Sequence, residues 1–310
     1  MKKVFLFILI IGLVATVVGF AASDGDFQSF FESLSYDKDY TFDEVQDTNE
    51  VTEIRINSEN ANVIFNAYEG EGYKVDYYES DYDKKVISYL DGLLTITQKR
   101  EWTFKIFNFS FNSYKLHTIN VYIPETFIGK LIVNSTSGNV VIDHFDFTIM
   151  NITLTSGNVE LSNIKTEKLG IDITSGNTDI KDSEIDTLDI SQTSGNTTLR
   201  NVLVNGNVDL HSISGNINMF DSTMEDLIVN VTSGNVNLTD VDLENFDCNV
   251  TSGNVKIKLT RDVETYKLDI STTSGDVYFK GTKINGGLTN LSGTGLLKVR
   301  TTSGDVRLLA

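Results

Sequence analysis

The residues most suggestive of chemistry in this chain are serines set beside glycines. Ser-Gly-Asn or Ser-Gly-Asp occurs nine times, starting at Ser137, Ser156, Ser175, Ser194, Ser214, Ser233, Ser252, Ser274 and Ser303. A serine next to glycine evokes a nucleophile elbow, but that motif needs G-x-S-x-G at a strand-to-helix turn and a histidine partner. Nine copies of one nucleophile have no chemical rationale. Their intervals of 19, 19, 19, 20, 19, 19, 22 and 29 residues mark a structural repeat instead.

Carboxylates are the next candidates. With each serine counted as position 7 of a unit, position 2 places Asp189 beside Asp209 and Asp247 beside Asp269 in consecutive units. Stacked carboxylates ~5 to 9.5 Å apart are the apparatus of glycoside hydrolysis. They are also hard oxygen ligands for Ca²⁺. The G-G-x-G-x-D calcium repeat is absent, however, and a solvated charged row is the simpler reading. His117, His144 and His211 fall in unrelated contexts, and Cys248 is the single cysteine. No HExxH, CxxC or paired-histidine spacing is present. The sequence therefore assigns no catalytic, cofactor-binding or metal-ligating residue, and no cofactor.

The elements around the serines define the architecture. Position 1 reads Leu131, Met150, Leu169, Leu188, Val208, Leu227, Phe246, Leu268 and Leu297, and position 3 runs from Val133 to Val299. Both rows are apolar while position 2 is mixed, the alternation of a half-buried strand. After the turn, position 10 runs from Val140 to Val306 and position 12 from Ile142 to Leu308. Each unit is thus strand, turn, strand and return loop. Glycine supplies the positive φ, and Asn or Asp tolerates the adjoining turn geometry. Threonine fills position 6 in eight units, with Ile213 as the exception, and asparagine fills position 9 from Asn139 to Asn254. Such columns stack as hydrogen-bonding ladders. The expected fold is an all-β, single-chain parallel β-solenoid (β-helix) of ~19-residue coils, with strand on strand at ~4.8 Å and a nine-coil rod of roughly 40 Å.

Four regions follow. Residues 1–23 carry Lys2 and Lys3 ahead of an uncharged run from Val4 to Ser23, long enough to cross a bilayer as a helix. Lysines before it and acids after it orient the bulk of the chain outside the membrane. The run reads as an uncleaved N-terminal transmembrane anchor. The alternative is a signal sequence cleaved near Gly19-Phe20-Ala21, which would give a secreted protein. Residues 24–50 hold nine acids against Lys38 and read as an acidic spacer. Residues 51–130 carry strand-like runs at Val51–Ile56, Asn62–Phe65, Tyr73–Tyr78, Leu93–Thr97, Thr103–Phe111 and His117–Ile123, and read as irregular β coils that start the solenoid. Asn57 to Val63 looks like a degenerate early turn. Residues 131–310 form the regular repeat. Net charge is −18, which argues against nucleic acid and against docking on anionic lipid.

The chain resembles the bacterial "putative adhesin" domain family, which includes LiaG-like envelope proteins. The resemblance rests on Ile119 to Pro124 followed by Thr-Ser-Gly-Asn/Asp-Val units such as Thr251 to Val255 and Thr273 to Val277, and covers roughly residues 40 to 310. It implies a β-solenoid at the cell envelope, in some members linked to envelope-stress systems, and no catalytic residues. The expected function is non-enzymatic interaction or adhesion with an envelope protein or glycan as partner, and the alternative is a polysaccharide-active β-helix enzyme. At position 13, Lys181, Arg200, Lys258 and Lys280 should make one face partly basic. The chain stops just after its last turn, so residues 297–310 should form an uncapped final coil, an edge open to end-to-end self-association.

Overall fold

A computed structural model describes residues 40–100, 113–285 and 287–309. The expected membrane anchor, most of the acidic spacer and the expected strand at Thr103–Phe111 lie outside these residues. Among the described residues no helix is long and apolar enough to cross a membrane. Within the described residues twenty-five strands join in a single hydrogen-bonded sheet, with a four-residue helix at Ser113–Leu116 and a 3-10 turn at Val263–Thr265.

The repeat coils stack in parallel and in register. Ser137 pairs with Ser156, Ser156 with Ser175, Ser175 with Ser194, and so on to Ser233 with Ser252. Positions 1 and 3 from one strand and 10 and 12 from the next face inward, and Leu131, Val133, Val140 and Ile142 are all fully buried. A third wall closes the coil where the sequence suggested a return loop. Phe145, Ile164, Ser183, Val202 and Ser222 line it, with Phe147, Thr166, Ile185, Val204 and Met224 two residues on, and all are buried. Its two serines serve the backbone. Ser183 Oγ accepts from Ile164 N at 3.1 Å and donates to Lys181 O at 2.7 Å, and Ser222 repeats the pattern with Val202 and Phe220.

Two corners make these walls possible. At the Ser-Gly-Asn corner a Cβ on Gly195 would collide with the carbonyl oxygen of Gly176 in the neighbouring coil. Glycine is therefore required by stacking as well as by its φ of 119°. The second corner is made without glycine. His144, Asn163, Asp182, Asn201, Asp221 and Asp240 hold φ values of 62°, 52°, 51°, 52°, 50° and 55°. Asn and Asp enter the left-handed region at lower cost than other side chains, which explains the column.

The ends depart from simple chain order. The last repeat strand, Gly295–Ser303, does not lie outermost. It pairs on one side with Asn245–Ser252 and on the other with Tyr266–Ser274. Val306–Leu308 is likewise held between Val255–Leu259 and Val277–Phe279. The expectation of an uncapped coil at 297–310 is thus corrected: the intervening segment folds outward, and the antiparallel strands Leu288–Asn290 and Thr282–Ile284 cover the end. These short strands pair the outward backbone groups of Leu268–Ile270 and Val277–Phe279.

The beginning mirrors this. Glu53–Ser58 and Asn62–Ala67 form the first coil in sequence, and Ile54 and Ile56 stand opposite Leu131 and Val133. The expected early turn is real: Asn62 Oδ1 accepts from Asn139 N at 2.9 Å, as the later asparagines do. Yet Leu93–Arg100 and Thr118–Ile123 pack on its outer side. Asp83–Leu90, a strand absent from the sequence reading, then caps Leu93–Arg100 antiparallel. Tyr73–Glu79 and Thr41–Asp47 cap the other wall.

Candidate functional site

The repeated serines can be judged from their surroundings. From Gly138 to Gly253, and again at Gly304, the corner glycine N–H donates to the serine carbonyl of the adjacent coil, as in Gly157 N to Ser175 O at 3.0 Å. The asparagines complete the corner. Asn139 Oδ1 accepts from Asn158 N, Asn158 Oδ1 from Asn177 N, and Asn177 Oδ1 from Asn196 N, at 2.8 to 2.9 Å. The column continues from Asn254 Oδ1 to Asp305 N at 2.8 Å and from Asp305 Oδ1 to Asp276 N at 3.0 Å. These are structural corners, and the ladder itself records the inserted final coil.

The aspartate pairs separate into two cases. Asp189 and Asp209 are neighbours in register, as expected. Asp247 and Asp269 are not adjacent, because Lys298 lies opposite both. Lys298 Nζ sits 2.6 Å from Asp247 Oδ2, and Arg300 donates to Asp269 through its two terminal guanidinium nitrogens at 2.9 and 2.5 Å. The Arg300 bonds hold the Asp269 carboxyl below its ordinary pKa. A second acidic pair expected on the surface is thus an alternating charge row. The histidines also part company: His144 sits in a left-handed corner with Nδ1 2.9 Å from Asp143, and His211 lies in an outward row. Cys248 is fully buried, and burial pushes its thiol pKa up, so it is an inert core group. Among the described residues no cluster of three or more His, Cys, Asp or Glu could hold a metal ion.

One buried polar constellation escaped the sequence reading, in the N-terminal cap. The side chains of Asp83 and Lys85 are both fully buried, with Lys85 Nζ 2.9 Å from Asp83 Oδ1. Gln98 Nε2 donates to Oδ1 at 2.8 Å, and Tyr40 Oη donates to Oδ2 at 3.0 Å. His117 Nδ1 stands 3.5 Å from Oδ2, the outer limit of a hydrogen bond. Lys85 Nζ also donates to Tyr78 O at 2.7 Å. Burial alone would raise the Asp83 pKa, but His117, Lys85 and Gln98 outweigh it and hold the carboxyl well below the usual range. Burial pushes the Lys85 ammonium down against the pull of Asp83. Gln98 Oε1 then accepts from the backbone N–H of Glu59 and Asn60 at 2.9 and 3.1 Å, so the cluster pins the degenerate first corner. The i, i+2 spacing of Asp83 and Lys85 on an unrecognised strand is the one signal that could have found it. A carboxylate kept ionised by this many donors is a structural anchor.

The outward rows are where side chains remain available. On the wall after the turn, Lys181, Arg200, Phe220, Thr239 and Lys258 follow one another in register. Lys280, expected in this row, instead bends away at a φ of 48° and pairs with Asp262 and Glu264. On the wall before the turn, threonines 155, 174, 232 and 251 form an exposed polar rank.

The geometry defines a capped stack of parallel repeat coils, a scaffold that exposes long rows. Residues 51–308 match the Toastrack family, DUF4097, and the chain belongs to it. It is similar in fold to a solved "Putative lipid binding protein" of Parabacteroides distasonis, with 19% identity, 88% of this chain and 98% of that chain covered, and a TM-score of 0.57. A "putative adhesin" from the same organism gives 14% identity, 88% and 99% coverage and a TM-score of 0.50. No curated protein matches the chain.

Proposed function

We propose that this protein is a non-enzymatic interaction module of the cell envelope, tethered by residues 1–23 and presenting its outward rows to an envelope partner. The observation that carries this reading is the commitment of the catalytic-looking residues to structure, with the exception of Asp189 and Asp209, which stand together in an outward row. The serines form corners, Asp247 and Asp269 are in ion pairs, and Asp83 is a buried anchor. What remains exposed is a long, regular surface of the kind repeat proteins use for binding. The adhesin description of one structural neighbour agrees with this, and the envelope-stress association of LiaG-like proteins is a finer version of the same role.

The test uses the full chain in its own cells, with photo-crosslinking residues placed at Thr155, Thr232, Arg200 and Lys256. A discrete adduct to one envelope component is expected from at least one row. No adduct from any row, with the protein present at the surface, overturns the reading. Release of oligosaccharide products from envelope polysaccharide by the purified chain overturns it as well.

A further inference from the structure

The wall that follows the Ser-Gly-Asn/Asp turn carries the same three-residue pattern twice. In one row Lys181, Arg200 and Phe220 stand in register on three consecutive coils, and the Arg200 guanidinium lies 4.5 Å from the centre of the Phe220 ring. In a second row Lys256, Arg307 and Tyr278 stand in register on three spatially consecutive coils, and Arg307 lies 5.0 Å from the Tyr278 ring centre. The second triad exists only because the final coil is inserted. In sequence order Tyr278 precedes Arg307, and the fold places Arg307 between Lys256 and Tyr278.

The two triads are joined. Phe220 leads in register to Thr239 and then Lys258, and Lys258 lies two residues from Lys256 on one strand with both side chains outward. The strip thus crosses seven coils, roughly 30 Å at ~4.8 Å per coil. Lys181, Arg200, Lys256 and Arg307 are exposed, and Phe220 and Tyr278 are half-buried with their faces beside the guanidinium groups. Lys181, Arg200 and Lys256 make no ion pair among the described residues. Lys258 is paired with Asp240 and Arg307 with Asp305. A chain of net charge −18 has kept two cation–aromatic stations on one wall, with Asn237 and Thr239 between them, Asp179 beside Lys181 and the corner acids Asp182, Asp221 and Asp240 along one edge.

We infer that this strip binds a linear acidic polysaccharide. Its anionic groups would sit against the Lys–Arg pairs, and sugar rings would pack on the exposed parts of the Phe220 and Tyr278 rings, which the adjacent arginines hold in place. The two Lys–Arg pairs, each with its cations one coil apart, fit the carboxylates borne on successive sugars of a polyuronate. So few cations in an acidic surface do not fit the dense charge of a nucleic acid. This inference rests on the interaction reading above and names its partner.

The experiment measures binding of the purified full-length chain to alginate oligosaccharides, with neutral dextran and a poly-dT oligonucleotide as comparators. Alginate alone is expected to bind, more weakly as salt rises. The paired substitutions Lys181→Glu/Arg200→Glu and Lys256→Glu/Arg307→Glu should each weaken it about tenfold or more. Phe220→Ala/Tyr278→Ala should weaken it about threefold with the salt dependence retained. Thr187→Ala, an exposed residue away from the strip, should leave it unchanged. If a charge reversal perturbs folding by circular dichroism, Lys181→Gln/Arg200→Gln supplies the same readout. Absence of alginate binding, indifference to the strip substitutions, or equal binding of dextran or poly-dT overturns the assignment. A partner crosslinked in cells whose capture ignores the strip substitutions would sink this inference and leave the broader reading standing.

Discussion

Lys298 Nζ sits 2.6 Å from Asp247 Oδ2 although 51 residues separate the two in the chain. The contact exists because the final coil enters the stack between two coils made earlier in sequence. The same insertion separates Asp247 from Asp269 and replaces a like-charge neighbour with an opposite one. Reversing it should therefore recreate a repulsive column. Lys298→Glu is expected to lower stability by about 1 kcal/mol, modest because both side chains are over a third exposed. Thermal melts should show the loss shrinking at high salt, and the exchange Asp247→Lys/Lys298→Asp should restore most of it.

The corner glycines make a sharper prediction. Gly195→Ala would drive a methyl group into the Gly176 carbonyl of the adjacent coil, and neither backbone can move without parting the ladder. A loss of about 2–4 kcal/mol is expected in denaturant titrations. Gly281 is the control. Its φ is +81°, but nothing lies within 4 Å of an added Cβ, so Gly281→Ala should cost only about 1 kcal/mol. Equal losses at the two sites would show that φ, and not stacking, selects the glycine.

The asparagine column can be tested for what it contributes. Asn196 Oδ1 accepts from both the backbone and the side-chain nitrogen of Asn216, at 3.0 and 3.1 Å. Asn196→Ala should cost about 1–2 kcal/mol. Asn196→Asp should cost clearly less, because Asp305 already fills the acceptor role toward Asp276 N. If aspartate proves as damaging as alanine, the side-chain amide donor is the important half.

The cap cluster should govern acid stability. The folded-state pKa of Asp83 lies below its unfolded value near ~3.9, so its contribution is fully present above that pH and fades as pH falls through the folded value. Asp83→Asn should lower stability at pH 7 by about 3–5 kcal/mol, since Lys85 is left buried without its counter-charge. Between pH 5 and pH 2 the variant should lose less further stability than the wild type. Lys85→Met/Asp83→Leu should recover much of the neutral-pH loss, and parallel acid titrations of the three proteins decide the matter.

The repeat was legible because its causes are local and recur. Apolar alternation at Leu131, Val133, Val140 and Ile142 follows from one buried face, and glycine at 138 follows from a turn that excludes a side chain. The third wall was less legible. Its rows mix Phe145, Ser183 and Ser222, since a wall that can satisfy its serines internally need not be uniformly apolar. The left-handed corner at His144, Asn163 and Asp182 had a weak signal in its Asn and Asp content, masked by the ordinary frequency of those residues in loops. Asp83–Leu90 was missed because its inward residues include Asp83 and Lys85, whose burial is paid for by partners up to 43 residues away at Tyr40.

The sequence by itself determined the repeat unit, its parallel in-register stacking and the structural role of the nine serines, because each depends on residues within one coil and its copy. Only the tertiary structure decided the order of coils at the two ends, the partners of Asp247 and Asp83, and the strip in which Arg307 meets Tyr278. Identical coils present identical edges, so local pattern cannot say which copy lies beside which. That choice belongs to the connecting segments, and to the capping strands that close each end.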